Sequence, residues 1–280
     1  MNDSTDLLQP SARLPVLFLG HGSPMNVIED NEFRRGWQAL GAQFGAGPAT
    51  RWPWPRLILC ISAHWLTRGW WLTAMERPPT IHDFGGFPRA LFEQQYPAPG
   101  APDAARAISA LVRQPDGSPL GLDTAEWGLD HGAWGVLKPM FPQADIPVIQ
   151  LGMDYSRPPA EHYAIGQQLR GLRERGVLIV GSGNTVHNLR AMERMAPPGQ
   201  AHDWALEFDH RVARHLEAGQ HEALLAFREW GAVAELAHPS WEHFLPLVYA
   251  AGAAGPEEPV QFFNASYQGK SVAMRCVVWD

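Results

Sequence analysis

Residues 176–183 read GVLIVGSG, an apolar run of branched side chains that dissolves into glycine and serine and, four residues further on in the turn GNTVHN, reaches His187. Three more runs of this kind stand at LPVLFLG (14–20), RLILCISA (56–63) and IPVIQLG (146–152). Almost no polar alternation interrupts them, the pattern of strands covered on both faces, as in a parallel sheet flanked by helices. The intervening segments FPRALFEQQY, APDAARAISALVR, HGAWGVLKPMF, PAEHYAIGQQLRGLRERG, HDWALEFDHRVARHLEAG and the stretch from His221 to Ala237 have helical character. This order reads as α/β, with a central, mostly parallel sheet between helices. The Pro and Gly clusters at 97–103, 115–119, 196–200 and 251–259 are turn-sized and none is a linker, so one domain is expected over residues 1–280.

Composition narrows the partners. With 45% hydrophobic and 18% charged residues, the chain can bury a sizeable core. Its formal charge of −7 comes without a run of Lys or Arg, which argues against a nucleic-acid partner. No apolar segment approaches the roughly 20 residues that cross a bilayer, and the polar opening MNDSTDLLQPSAR precedes only the short run LPVLFL. A protein without a membrane partner, soluble and unexported, is expected. Cys60 and Cys276, inside LILCIS and MRCVVW, read as buried free thiols of a reducing cytoplasm. The tryptophans around 52–71 read as apolar anchors.

The histidines carry the chemical signal. His21 directly follows LPVLFLG, His64 directly follows RLILCISA, and His187 lies just beyond GVLIVGSG. Ligands of open α/β sheets bind beyond the carboxyl ends of the strands, so three imidazoles would share one rim. Several imidazoles with an open coordination position suit a catalytic zinc or first-row transition metal. The neighbours His21-Gly22-Ser23-Pro24, Gly181-Ser182-Gly183-Asn184 and Asp130-His131-Gly132 are small or turn-forming, which suits a crowded site and equally any tight turn. GSGN is neither a P-loop, lacking GKS or GKT, nor a GxGxxG, since Val186 stands where the third glycine belongs. In HPSWEHFLPLVYAAG (238–252), Ser240 reads as a helix N-cap with Glu242 and His243 in the first turn, which leaves a role for His243 undecided. His162, His202, His210, His215, His221 and His238 have charged neighbours and read as surface residues.

Seven segments, in order along nearly the whole chain, resemble the LigB-type extradiol ring-cleavage dioxygenases and, within them, the 4,5-DOPA extradiol dioxygenase-like group. They are FLGHGSPMN (18–26), SAHW (62–65), PPTIHDFGGFP (78–88), YPAPG (96–100), GLDHGAWGVL (128–137), GSGNTVHNLR (181–190) and EHFLPLVYA (242–250). The resemblance implies cleavage of a catechol, DOPA-like or another small aromatic diol, by O2 at one divalent metal per chain. Fe(II) is implied for the O2 chemistry, and Zn(II) is a second occupant of such a site. It places metal ligands at His21, His64 and His243, and makes His187 a metal neighbour and acid/base. His131 falls near the oxygen, and His82 and Asp83 of the IHDFGG loop fall near the substrate's polar tail. More distant relatives use two histidines and a glutamate, which makes Glu242 a rival third ligand; His243 is favoured, with Glu242 facing away. An unperturbed imidazole near pKa 6.5 suits His187 for taking a catechol proton and returning one. Two other readings share these residues: a zinc-dependent hydrolase that activates water, and a non-catalytic binding module of the same fold. A homo-oligomer is compatible with all of them.

Overall fold

The structure is a computed structural model and describes residues 8–280. Its first half runs β1 (Val16–Gly20), α1 (Glu32–Gly41), β2 (Leu57–Ser62), β3 (Leu66–Thr67), β4 (Trp71–Thr73), α2 (Arg89–Phe92), α3 (Pro102–Leu111), β5 (Gly121–Asp123), α4 (His131–Met140) and β6 (Val148–Asp154). Its second half runs α5 (Pro159–Leu169), β7 (Val177–Gly183), α6 (Asp203–Glu217), α7 (His221–Leu225), α8 (Ala232–Ala237), α9 (Leu245–Ala253), β8 (Val260–Phe263), β9 (Tyr267–Gln268), β10 (Val272–Ala273) and β11 (Cys276–Trp279). The four apolar runs are β1, β2, β6 and β7, and every residue of them is buried.

The main sheet has the order β5-β4-β6-β2-β7-β1-β11-β8, with β3 beside β6. Its central ladder, β6-β2-β7-β1, is parallel throughout. β4 joins β6 antiparallel, and β11 and β8 extend the other edge antiparallel. The strand period of two sends alternate residues to opposite faces. Val16, Phe18, Leu59, Ile61, Val177 and Ile179 pack in the layer of α5, α6 and α9. Leu17, Leu19, Ile58, Cys60, Leu178 and Val180 pack on the other face with α1 and α4. Register matters more than content here. Ser62 pairs with Ser182, and Gly20 pairs with Gly183, so β1, β2 and β7 end level and deliver whatever follows them to one rim.

Elements that the periodicity did not reveal are the ten-residue helix α1 and the short strands β3 to β5 and β8 to β11. The helix expected from Ser240 begins at Leu245 instead. A start at Ser240 would put Pro246 inside the helix, where it lacks a donor and its ring clashes with the carbonyl four residues earlier; a start at Leu245 puts it in the first turn. Ser240 Oγ donates to Glu242 Oε1 at 3.1 Å rather than capping. No described helix is long and apolar enough to cross a membrane.

His162, His221 and His238, read as surface residues, are buried instead; His210 is exposed, and His202 and His215 are half-buried. Charged neighbours along the chain misled, because on a helix they point elsewhere. His162 is 0% exposed and closes a directed chain of hydrogen bonds. Trp70 Nε1–H donates to Tyr249 Oη, whose hydroxyl donates to His162 Nδ1 at 2.6 Å, and His162 Nε2–H donates to the Arg157 carbonyl at 3.1 Å. Only neutral imidazole satisfies this chain, and burial drives the pKa down to about 4. A histidine whose folded pKa lies below its unfolded value contributes stability fully present above about pH 6.5 and lost as pH falls toward the folded pKa. The stability gap between the wild type and His162→Gln, measured by urea unfolding, should therefore narrow by roughly 2 kcal/mol between pH 7.5 and pH 5.

Candidate metal centre

The level strand ends place the imidazoles. His21 extends β1, its N–H donating to the Gly183 carbonyl at 3.1 Å, and Ala63 N–H donates to the Ser182 carbonyl at 3.0 Å just before His64. His131 opens α4 behind Asp130, which caps it by accepting from Ala133 N–H. Asn184 N–H donates to the His243 carbonyl at 2.9 Å, tying the turn after β7 to the segment that leads into α9. That contact needs glycine beside it: a Cβ on Gly183 would lie 2.2 Å from the His243 carbonyl oxygen.

Five rings meet as a result. The His21 centroid lies 5.0 Å from that of His64, 5.6 Å from His131 and 5.3 Å from His243. His64 lies 4.1 Å from His131, and His187 stacks on His243 at 3.5 Å with the planes 6° apart. His21, His64 and His131 offer nitrogens within 4.8 Å of one another; so do the donor atoms of His187, Glu242 and His243.

Hydrogen bonding decides which ring nitrogen faces the centre. Ser182 donates its one hydroxyl proton to the Gly132 carbonyl at 2.5 Å, so toward His21 Nδ1, 3.0 Å away, it can only accept. His21 thus carries its proton on Nδ1, and Nε2 is bare. The Glu242 carboxylate accepts from His243 Nδ1 at 2.9 Å, which assigns the same tautomer to that ring, and the Asp83 carboxylate, with Oδ2 3.2 Å from His64 Nδ1, favours it electrostatically in His64. The Nε2 atoms of His21 and His64 then face each other lone pair to lone pair at 3.2 Å. Such an arrangement is repulsive unless something electropositive lies between them. His21 and His64, with His131 beside them and the His243 ring within 5.3 Å of both, are a donor set that fits a divalent transition-metal ion.

Proton competition is suppressed as well. Burial, followed by the neighbouring imidazoles, holds His21 and His243 well below their ordinary pKa. The same causes bring His187 to about 3. His64 falls to about 4 through burial and His131, against the pull of Asp130 and Asp83. At neutral pH these four rings are uncharged.

The expected residues His21, His64, His131, His187 and His243 are all in the cluster. Glu242 does not face away as expected: it bonds to His243, because the turn before α9 holds both on one side. Of the IHDFGG pair, Asp83 reaches the rings of His64 and His131, whereas His82 bonds to the Gln94 carbonyl at 2.9 Å and packs against Trp134, outside the cluster. Ser182 was missed, although a serine near the end of an otherwise apolar strand was a legible signal. A cavity of 280 Å³ opens beside the cluster, lined by His187, Arg190 and Glu242 among others. A larger one, of 850 Å³, is walled by α3 and the turn after α5 and touches none of these residues.

Residues 15–274 match the family described as the catalytic LigB subunit of aromatic ring-opening dioxygenase. The chain belongs to the LigB family. A relative named 4,5-DOPA dioxygenase extradiol from Escherichia coli is 45% identical over 259 residues, spanning 91% of this chain and 90% of that protein. One of the same name from Mirabilis jalapa is 36% identical over 91% of this chain and 92% of its own length. The LigB fold is also seen in the crystal structure of an uncharacterized Escherichia coli protein, with a TM-score of 0.79 and 38% identity, covering 95% of this chain and 99% of that one. Family and relatives together make this chain an extradiol aromatic ring-opening dioxygenase.

Because a Cβ at position 183 meets backbone rather than a flexible side chain, Gly183→Ala should cost about 1–3 kcal/mol in a urea unfolding measurement. It should also displace His243 and weaken divalent-metal binding in a chelator-competition titration.

Proposed function

We propose that the chain holds one Fe(II) through Nε2 of His21, His64 and His243 and opens the ring of DOPA or another small catechol with O2. The observation that supports this reading is the approach of His21 and His64 Nε2 to 3.2 Å at the rim of the sheet, with the His243 ring centroid 5.3 and 5.1 Å from theirs. When bound there, ferrous iron would supply the redox change that O2 needs to react with a singlet ring, which zinc cannot supply.

The protein's own groups do the rest. His187 stands at the wall of the open cavity; burial lowers its pKa to about 3 rather than leaving it near 6.5 as expected, so its ring is neutral and would take a catechol proton, returning it later, with the anionic catecholate beside it raising its basicity. Its stacking on His243 fixes the ring plane, so the proton acceptor and a metal ligand keep one geometry. His131, with the Asp83 carboxylate 3.0 Å from its Nδ1, lies 4.1 Å from the His64 ring, where it would hydrogen-bond O2 bound at the site. Arg190, at the cavity mouth, provides the cation for a carboxylate-bearing tail. Phe84 packs edge-on against His131 and shields that side from water. The two cysteines are free and buried, in keeping with a reducing cytoplasm.

Metal-free protein loaded with Fe(II) under argon and then given DOPA and O2 should produce a yellow ring-opened semialdehyde, while zinc-loaded protein should not. Ring-opened product from the zinc form would sink the assignment of ferrous iron to the site. His187→Ala should keep its iron and lose about 10²–10⁴-fold in kcat; loss of iron would make His187 a ligand, and unchanged kcat would remove its acid/base role.

A further inference from the structure

Asp83 touches two histidines at once. Its Oδ1 lies 3.0 Å from His131 Nδ1 and accepts the His131 backbone N–H at 2.9 Å, while its Oδ2 lies 3.2 Å from His64 Nδ1. Only 16% of the side chain is exposed. Neither Asp83 Oδ2 nor His131 Nδ1 has an aligned hydrogen-bond partner, so both ring contacts are short approaches of a carboxylate to Nδ1 rather than aligned hydrogen bonds. We infer that Asp83 is a positioning residue: one shared carboxylate that holds His64 and His131 in the Nδ1–H tautomer together, so that Nε2 of each faces the centre. This rests on the assignment of His64 as a metal ligand.

The argument is one of donors and acceptors. A carboxylate only accepts, and its two oxygens can serve two ring N–H groups and a backbone N–H together. Groups that bond to the far nitrogen of a ligand histidine fix its tautomer and orientation, and losing them costs about 10–100-fold in metal affinity.

The geometry also predicts an unusual order among substitutions. In Asp83→Asn the His131 backbone N–H, a donor that cannot be reversed, keeps the amide carbonyl on its side. The amide NH2 then faces His64 Nδ1, which must accept, and the His64 proton moves to Nε2, the atom 3.2 Å from His21 Nε2 where the cation belongs. Asp83→Ala merely removes the acceptor and leaves His64 free to keep its Nδ1 proton. The isosteric variant should therefore bind metal worse than the truncated one, the reverse of what a packing role would give.

The test uses metal-free wild type, Asp83→Asn and Asp83→Ala, with thermal unfolding to confirm that each is folded. Cobalt(II) affinity is read by competition with a chromophoric chelator, and imidazole tautomers by long-range 15N–1H spectra. Asp83→Asn should lose about 10–100-fold in affinity, more than Asp83→Ala, with one histidine converted from Nδ1–H to Nε2–H. Wild-type affinity in Asp83→Asn, an unchanged tautomer pattern, or a larger loss in Asp83→Ala would overturn the inference while leaving the metal reading intact. If wild type itself binds no cobalt, the metal reading falls, and the tautomer spectra still decide whether Asp83 sets the two rings.

Discussion

The parallel ladder joining β2, β7 and β1 is the constraint on which the rest of the molecule depends. Ser62 lies opposite Ser182 and Gly20 opposite Gly183, so the chain leaves three adjacent strands at the same height. Strands about 4.8 Å apart bring the side chains that follow into ring contact with little help from the loops. A one-residue slip would turn every residue of a strand to the other face and empty the cluster. The buried branched side chains on both faces hold that register, each contributing roughly 1.5–3 kcal/mol on burial.

Against this rigid base the cluster itself is costly. Uncharged imidazoles are buried with their lone pairs converging, and two Nε2 atoms lie within 3.2 Å of each other. Oxygen atoms behind the rings make the arrangement definite: Ser182 behind His21, Glu242 behind His243, Asp83 behind His64 and His131. Each is held in turn. Ser182 is anchored on the Gly132 carbonyl and Asp83 on the His131 backbone. These four rings are thus held from outside, and His21 and His64 bring their Nε2 atoms together.

A second polar network fixes the loop that carries His187. Asp209, 1% exposed, accepts from Thr185 Oγ1 at 2.6 Å, Tyr267 Oη at 3.0 Å and Arg275 Nη2 at 2.6 Å. Buried ion pairs add little net stability, but a fully bonded one specifies geometry. Here it ties Thr185 to α6 and to the residue before β11. His238 Nε2 adds a bond to the Thr185 carbonyl at 2.8 Å. The turn GNTVHN is therefore a fixed mount rather than a free loop.

The sequence by itself determined the central strands, the fold class and the identity of the rim histidines. Continuous apolar runs and the residues just after them are local features, readable in GVLIVGSG and SAHW without any partner. Only the tertiary structure decided the start of α9, the burial of His162 and the turn of Glu242 toward His243. It alone also showed that Asp83 spans two rings and that Ser182 has spent its proton on Gly132. The start of α9 and the turn of Glu242 are local but depend on how the chain packs, whereas the others join groups 19 to 87 positions apart, and hydrogen-bond direction is settled only when every donor and acceptor at the meeting point is present together.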